Sequence, residues 1–567
     1  MVFTGIGASS GLALAPAFCL TSKRGPVGRA SSRSFEEARE QLKRQYDQSI
    51  AALTGAGRRA EAEVLLCHRE MVSDVLLEER VNQGLIQGLD PAAAVEKACH
   101  ILCQMLAQVN SDYIRQRAED LKDVCSRLIS LLCQEELPSL AGLEREVVLV
   151  AHQLSPADLA TADLACIKGI VLAGGTLTSH IAILACSLGI PAVVGCPHAV
   201  EAAKSGEPLF LDGASGKVEC GLTHRRKTEL ARLVKEEGER VRQLAQQALL
   251  PSVTADGLPI RVESSISDSR TAQKSVEYAA DAVGLLRTEF LFHNRESLPG
   301  EEEQLQYYLE IARQLGGQRF TIRTLDIGGD KPSPCIPIPK EENPFLGTRG
   351  IRLTLRQPEI LLCQLRAILR ASAQADIQVM YPMITSLEEL QAAKQWMDTA
   401  KKQLAQEGLP FDPAIREGIM VEVPSAALLC DLLAPHCDFF SIGSNDLAQY
   451  LLAADRNGEC LPQLGSYLHP AVLRVIQMVL DRAAEEGIPC SLCGEMAKDP
   501  LATPLLLGMG LTNFVVTPAA IPALKEGISR LDTGVCRRIA RQALACSTAG
   551  EVVRLLQMEK GQTVPAR

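Results

Sequence analysis

Glu417-Gly-Ile-Met-Val-Glu-Val-Pro424 and Phe439-Phe-Ser-Ile-Gly-Ser-Asn-Asp446, with a helix-like stretch between them, decide the fold. Each run is apolar, short enough for a buried strand, bounded by Gly, Pro or polar residues, and ends in side chains that can do chemistry. The pattern recurs at Ile260–Ile266, Ala282–Phe290, Phe320–Gly328, Ile377–Ile384, Pro489–Glu495 and Asn513–Pro518. Eight such runs alternating with helices predict a closed parallel (β/α)₈ barrel, whose active sites lie at the C-terminal ends of the strands. At those ends stand Arg287, Glu289, Arg323, Asp326, Glu422, Asn445, Asp446, Cys493 and Glu495. Two arginines, paired carboxylates and a cysteine on that face predict an enzyme.

At 567 residues the chain exceeds one usual domain, and its 47% hydrophobic and 22% charged residues are an ordinary globular balance. A net charge of −10 with no basic tail argues against a nucleic-acid partner. The basic cluster His224–Lys227 opens a mixed-charge helix and reads as a solvated face. Met1–Phe18 lacks the charged opening and apolar run of a signal peptide and reads as a strand and turn. Paired glycines, His180 and Pro191 break Ile170–Gly195, so no membrane helix is expected. The 19 cysteines are scattered, and free thiols in a reducing cytoplasm are the expectation. Cys99/Cys103 and Cys490/Cys493 have suggestive spacings, but no second Cys/His pair stands at metal-finger distance.

N-terminal to the barrel in sequence, Phe35 to Glu136 is a long helical stretch in which Ala62–Leu77 and Ala92–Val109 carry apolar residues at three-and-four spacing, with Pro91 at a helix start. From Glu144 to Cys220 the texture alternates. Val147–Ala151, Gly169–Leu172, Ala192–Gly195 and Pro208–Leu211 are strand candidates, and Ile181–Leu188 is a helix candidate. Leu222–Leu249 reads as one connecting helix and a hinge. Within the alternating region, Gly174-Gly-Thr-Leu-Thr-Ser-His180 allows a tight turn capped by Thr178 or Ser179. His180 then sits near a helix N-terminus, where an imidazole could accept a phosphoryl group in a field that favours anions.

These motifs resemble enzyme I of the phosphoenolpyruvate:sugar phosphotransferase system along nearly the whole chain. The resemblance runs through Gly5-Ile-Gly-Ala-Ser-Ser-Gly11, Leu66-Cys-His68 and Ser111-Asp-Tyr-Ile-Arg-Gln-Arg-Ala-Glu-Asp120. In the barrel it is carried by Gly284-Leu-Leu-Arg-Thr-Glu-Phe290, Arg323-Thr-Leu-Asp-Ile-Gly-Gly-Asp-Lys331, Asn343-Pro-Phe-Leu-Gly-Thr-Arg349, Met420-Val-Glu-Val-Pro424, Phe440–Asp446 and Cys493-Gly-Glu495. It implies a multidomain α/β fold. Residues 1–21 and 144–221 would form a swivelling phosphohistidine α/β domain, and 35–137 an inserted α-helical bundle that binds the phosphocarrier protein HPr. Residues 222–250 would be a linker helix, and 251–567 a phosphoenolpyruvate-binding, dimerising (β/α)₈ TIM-like barrel.

By resemblance, His180 is the phosphorylated nucleophile, Arg287, Arg323 and Arg349 grip the substrate phosphate, and Arg456 with Asn445 meets its carboxylate. Glu422 and Asp446 end strands as a hard-oxygen pair suited to Mg²⁺. Cys493 is the family-matched proton donor to the enolate, on the expectation of a thiol near its ordinary acidity. Homodimerisation through the barrel and a cytoplasmic location are likewise implied. With no carrier, sugar-specific or sensory domain read in the chain, the acceptor is expected in trans.

Three departures bear on activity. Thr176-Leu177 occupy the space of one family residue, Cys186 stands where members carry an arginine, and Asp455-Arg456-Asn457-Gly458 reverses a usual Gly-Asn order. The first two, beside His180, motivate an alternative, a catalytically weakened regulatory or scaffold paralogue. A pyruvate phosphate dikinase or phosphoenolpyruvate synthase would need an ATP-binding domain, for which the region before Glu144 is too short and too helical. A lyase acting through the barrel alone leaves the N-terminal half unexplained.

Overall fold

The computed structural model describes all but residues 21–30, 32, 56–58, 108–111, 135–139, 141–142, 144, 153, 155–157, 160–161, 176–178, 293–294, 296, 330–334, 340, 456–464 and 561–567 of the chain. Two compact units emerge, residues 1–240 and 241–567. Their division falls inside the helix His224–Ala248.

The first unit holds an eight-stranded sheet built from β1 (Val2–Thr4), β2 (Ile6–Ser9), β3 (Leu12–Leu20), β4 (Val147–Ala151), β5 (Ile167–Leu172), β6 (Ala192–Val194), β7 (Pro208–Asp212) and β8 (Lys217–Glu219), in the order β1-β8-β7-β3-β4-β5-β6-β2. Strands β3 to β6 run parallel and the flanking pairs antiparallel. The two edge strands are separated in sequence by Gly5 alone, so the sheet must curl until its edges meet. Gly5 donates to the carbonyl of Gly216 at 2.8 Å, and a Cβ there would lie 2.7 Å from the carbonyl oxygen of Val194. The single strand and turn expected for Met1–Phe18 are thus three strands.

Between the paired strands β3 and β4 the chain makes five helices among the described residues: Phe35–Gly55, Arg59–Val72, Val75–Ile86, Pro91–Ala107 and Asp112–Leu132. Their apolar faces close over a core of their own that includes Leu42, Leu65, Val81, Val95, Val124 and Leu128. An inserted helical bundle is therefore present, and Pro91 opens a helix as its missing N–H favours.

At the base of the helix His224–Ala248, Arg226 forks onto Glu219 of β8 at 3.0 and 2.7 Å, and Lys217 adds a contact at 2.8 Å. The rest of His224–Lys227 is exposed, as a solvated face should be. The Arg226 hydrogen bond, with help from Lys217, lowers the Glu219 carboxyl to about 2, against a modest cost of burial.

The second unit is a closed barrel. Its strands are β9 (Arg261–Ile266), β10 (Val283–Leu286), β11 (Phe320–Arg323), β12 (Ile377–Tyr381), β13 (Arg416–Val421), β14 (Phe439–Gly443), β15 (Cys490–Cys493) and β16 (Asn513–Val516). All neighbouring pairs are parallel, and β16 closes on β9. All eight apolar runs form strands, and all but β9 end earlier than their runs because the chain turns away at the rim. Ser444, for example, already begins the helix Ser444–Leu452. Leu285, Met380, Met420, Phe439, Cys493 and Val515 fill the barrel interior.

Two measurements test these packing arguments. A methyl group gained by Gly508→Ala would lie 2.0 Å from the carbonyl oxygen of Cys536, in the opposing helix Thr533–Ala545. Helix propensity favours alanine by about 1 kcal/mol, but a clash with fixed backbone costs about 1–3 kcal/mol. Denaturant titration is expected to show a destabilised barrel, and an unchanged midpoint would refute the close approach. Glu219→Gln is expected to cost about 2 kcal/mol near neutral pH. A depressed carboxylate stabilises the fold above its unfolded value and loses that contribution as pH falls towards about 2. The variant and wild type should therefore converge in stability on acidification from about 4.5 to about 2.

Candidate active site at the barrel mouth

The strand ends bring most of the expected residues into one buried charge network. Arg323 is the last residue of β11, and its Nη1 lies 3.2 Å from Asp326 Oδ2 while Nη2 pairs with Glu289. The Met420 sulfur lies 3.5 Å from Arg323 Nη1. Asp326 is fully enclosed and also receives Arg349, from Nε and Nη2 at 3.0 Å each. Arg349 continues to Asp446, Nη1 to Oδ1 at 2.9 Å and Nη2 to Oδ2 at 3.4 Å, and Nη1 donates to the Tyr450 hydroxyl at 3.1 Å. The five N–H donors of that guanidinium are thus matched by protein acceptors. Arg349, expected from the resemblance to meet a substrate phosphate, here binds Asp326 to Asp446.

Burial works against both arginine charges. For Arg323 the carboxylates of Glu289, Asp326 and Glu422 outweigh it, and for Arg349 those of Asp326 and Asp446 do, so both remain firmly protonated. Glu422 follows β13 with no exposed surface. Its Oε1 accepts the Met383 N–H at 2.8 Å, and its Oε2 has no hydrogen-bond partner among the described residues. Burial, then the charges of Asp446 and Asp326, raise this carboxyl to about 8 against the pull of Arg323 and Arg349.

Arg287 follows β10, with its guanidinium 5.8 Å from the Phe290 ring. No ion pair engages it among the described residues, and its Nε is buried without a partner, as is Arg323 Nε. Two cationic donors and one carboxylate oxygen are therefore buried and unsatisfied on one rim. Buried polar groups are ordinarily paired, so this is where a ligand of matching chemistry is expected.

Cys493 ends β15 and is buried; burial, then the charge of Glu422, pushes its thiol up to about 11. The thiol is thus a weaker acid than the ordinary value expected from sequence, and protonated throughout the physiological range. Ser444 donates to the Cys493 carbonyl at 2.7 Å, and Asn445 Oδ1 accepts the Glu495 N–H at 3.0 Å, so the loops after β14 and β15 are tied together. Asn445 here acts on the backbone of its neighbour. Arg456, Thr176 and Leu177 lie outside the described residues.

Two participants escaped the sequence reading. Tyr450 follows Asp446 by one helical turn, a spacing that could have revealed it. Met383 has φ +58°, a conformation rare for methionine, and nothing in its sequence surroundings signals that. Both line a cavity of about 190 Å³ with Phe345, Leu346, Arg352 and Val423 beside the charge network. Among the described residues no group of three or more His, Cys, Asp or Glu side chains is placed to hold a metal ion. Glu422 and Asp446 form a two-carboxylate set, which suits a hard cation that keeps water and substrate oxygens as its other ligands.

In the first unit, His180 is the first residue of the helix His180–Leu188. Ser179 holds the N-cap position with extended backbone, and Gly189 ends the helix at φ +69°. Upstream, Gly174 bonds to the carbonyl of His152 at 3.3 Å and Gly175 takes φ +98°, so the chain leaves β5 through a turn only glycine adopts readily. This strand–turn–helix puts His180 where backbone N–H groups favour an anion. Cys186 is exposed on the same helix.

Comparison with known proteins follows the same division. Residues 241–533 match the PEP-utilising enzyme PEP-binding domain, residues 143–216 the PEP-utilising enzyme mobile domain, and residues 4–117 the PEP-utilising enzyme N-terminal region. The phosphoenolpyruvate-protein phosphotransferase of Haemophilus influenzae is 39% identical over 488 residues, spanning 86% of this chain and 84% of that protein. Those of Mycoplasma pneumoniae and Bacillus subtilis are each 35% identical over 98% of this chain and 98% of their own length. The chain belongs to the PEP-utilising enzymes and, among them, to the phosphoenolpyruvate-protein phosphotransferases.

Proposed function

We propose that this enzyme takes the phosphoryl group of phosphoenolpyruvate onto His180, releases pyruvate, and passes the group to a histidine of a phosphocarrier protein, HPr, to energise sugar uptake. The observation that carries the reading is the set of buried, unsatisfied groups at the barrel mouth, Arg287 Nε, Arg323 Nε and Glu422 Oε2. A substrate bearing phosphate and carboxylate supplies acceptors for the two arginines. Arg349, assigned to the substrate phosphate by resemblance, also holds Asp326 and Asp446 in place. Arg456 and Asn445 are assigned to the substrate carboxylate by resemblance.

Glu422 and Asp446 would hold Mg²⁺, which when bound neutralises developing negative charge on the substrate. In the first half-reaction the P–O bond breaks, a P–N bond forms at His180, and the imidazole proton passes to solvent. The enolate left behind takes the Cys493 Sγ proton at its methylene carbon, and solvent restores the thiol. A thiol near 11 suits that step because it stays protonated until a strongly basic carbon appears. Dimerisation through the barrel and operation in the cytoplasm belong to the same reading. Leu428 and Leu432, 66% and 56% exposed, offer apolar surface on the barrel. None of the described helices is long and apolar enough to cross a membrane.

Incubation with phosphoenolpyruvate and Mg²⁺ followed by mass spectrometry is expected to place an acid-labile phosphate on His180, and none in His180→Ala. Unmodified wild-type protein would mean a scaffold rather than a phosphotransferase. Cys493→Ala should lower pyruvate formation about 100-fold or more with little change in the affinity for phosphoenolpyruvate; unchanged turnover removes the acid role. Glu422→Gln should weaken Mg²⁺ binding, read by calorimetry on the free protein, while Glu389→Gln leaves it unaltered.

A further inference from the structure

A buried polar chain joins the strand ends that carry Arg287 and Arg323 to the helices outside the barrel. Gln364, in the helix Pro358–Ser372, has no exposed surface. Its Oε1 accepts the backbone N–H of Leu325 at 2.9 Å, and its Nε2 donates to Thr288 Oγ1 and to the Tyr308 hydroxyl at 3.3 Å each. Thr288 Oγ1 donates in turn to the carbonyl of Arg323 at 2.9 Å. Tyr308, in the helix Glu301–Leu315, donates to Gln304 Oε1 at 3.3 Å, and Gln304 Nε2 donates to the carbonyl of Pro299 at 3.0 Å. Thr288, Gln304 and Tyr308 are likewise buried.

We propose that Gln364 is a positioning residue for phosphoryl transfer, fixing the separation at which the guanidinium groups of Arg287 and Arg323 meet the substrate phosphate. The inference rests on the assignment of those two arginines to the phosphate. The ladder between β10 and β11 ends at the pair Leu286 and Ile322, one residue short of either arginine. Past that point the polar chain ties the two loops together. Thr288, next to Arg287, bonds the Arg323 carbonyl directly, and Gln364 links the same hydroxyl to the N–H of Leu325. The N–H of Thr324 still reaches the Met380 carbonyl of β12 at 3.0 Å, whereas that of Leu325 goes to Gln364.

Bond directions leave this chain one arrangement. A backbone N–H only donates, so the atom of Gln364 facing Leu325 is the oxygen, and the NH₂ faces the two hydroxyls. Each hydroxyl gives its single proton to an acceptor beyond it and receives an N–H of Gln364. No other neutral side chain of this length supplies both an acceptor and two donors. The consequence is kinetic. Two long arginine side chains can follow a bound phosphate after a small shift of their backbone. Charge that develops during phosphoryl transfer is stabilised only by donors already in place. Loosening the loops therefore lowers the rate more than the affinity.

The test uses the full-length protein, phosphoenolpyruvate and Mg²⁺, reading single-turnover pyruvate formation by rapid quench and phosphoenolpyruvate affinity by calorimetry. Gln364→Met, which keeps the side-chain length and removes its polar atoms, is expected to slow the single turnover about 100-fold with little change in affinity. Thr288→Val should reproduce that loss and Thr288→Ser, which keeps the hydroxyl, should restore the rate. Gln304→Met cuts the chain beyond Tyr308 and leaves the bonds of Gln364 to Leu325 and Thr288 intact. It should lower the denaturant midpoint and leave the rate unchanged, which separates positioning from stability. The proposal is overturned if Gln364→Met turns over at the wild-type rate, or if Gln304→Met is slowed as much. Should Gln364→Met not fold, the Thr288 pair decides, and equal rates in its valine and serine variants overturn the proposal. Arg323→Met with wild-type rate and affinity is a different failure: it removes the arginine assignment itself, and the positioning role falls with it.

Discussion

Everything at the barrel mouth depends on the enclosure of Asp326. A carboxylate with no exposed surface is costly unless paired, and here it is paired with two arginines that are themselves buried. Each member needs the others. Arg349 carries the constraint on to Asp446, and Arg323 carries it to Glu289. Charges drawn from separate strand ends are thereby held at fixed separations before any ligand arrives, which is what electrostatic catalysis of phosphoryl transfer requires. The network also leaves a defined remainder of two donors and one acceptor, so ligand recognition is the completion of an already rigid hydrogen-bonding scheme.

Backbone geometry around the network is just as constrained. Gly350 takes φ +57°, and a Cβ there would meet the Met383 side chain at 2.9 Å and Asp326 Oδ1 at 3.2 Å. Met383 takes φ +58° and turns its N–H onto Glu422. Gly443, at the end of β14, leaves room for the Glu422 side chain, which a Cβ would approach to 2.8 Å. A non-glycine residue in the left-handed region costs of order 1–2 kcal/mol, and it is kept here because it aims a donor at a buried carboxylate that has no other hydrogen-bond donor among the described residues. That leaves the second oxygen of Glu422 available for a cation.

Much of this was legible along the chain. Short apolar runs punctuated by Gly and Pro are local signals, and they located all eight barrel strands, the strands β4 to β7 and the helix that begins at His180. The glycines of Gly174–Gly175 and Gly189 bracket that helix in sequence as they do in space. The N-terminal strands were less legible, because β1, β2 and β3 are separated by only one or two residues, and their separation depends on pairing with β6, β7 and β8.

Sequence by itself therefore determined which elements form and which chemistry each strand end presents, since periodicity, turn residues and side-chain type are properties of neighbours along the chain. Only the tertiary structure decided how those groups act. Arg349 is engaged by Asp326, Asp446 and Tyr450, and Cys493 is a weaker acid than a free thiol because it is buried beside Glu422. Each outcome turns on distance and burial between residues remote in sequence, which set pairing and local dielectric and leave no mark on the order of the amino acids.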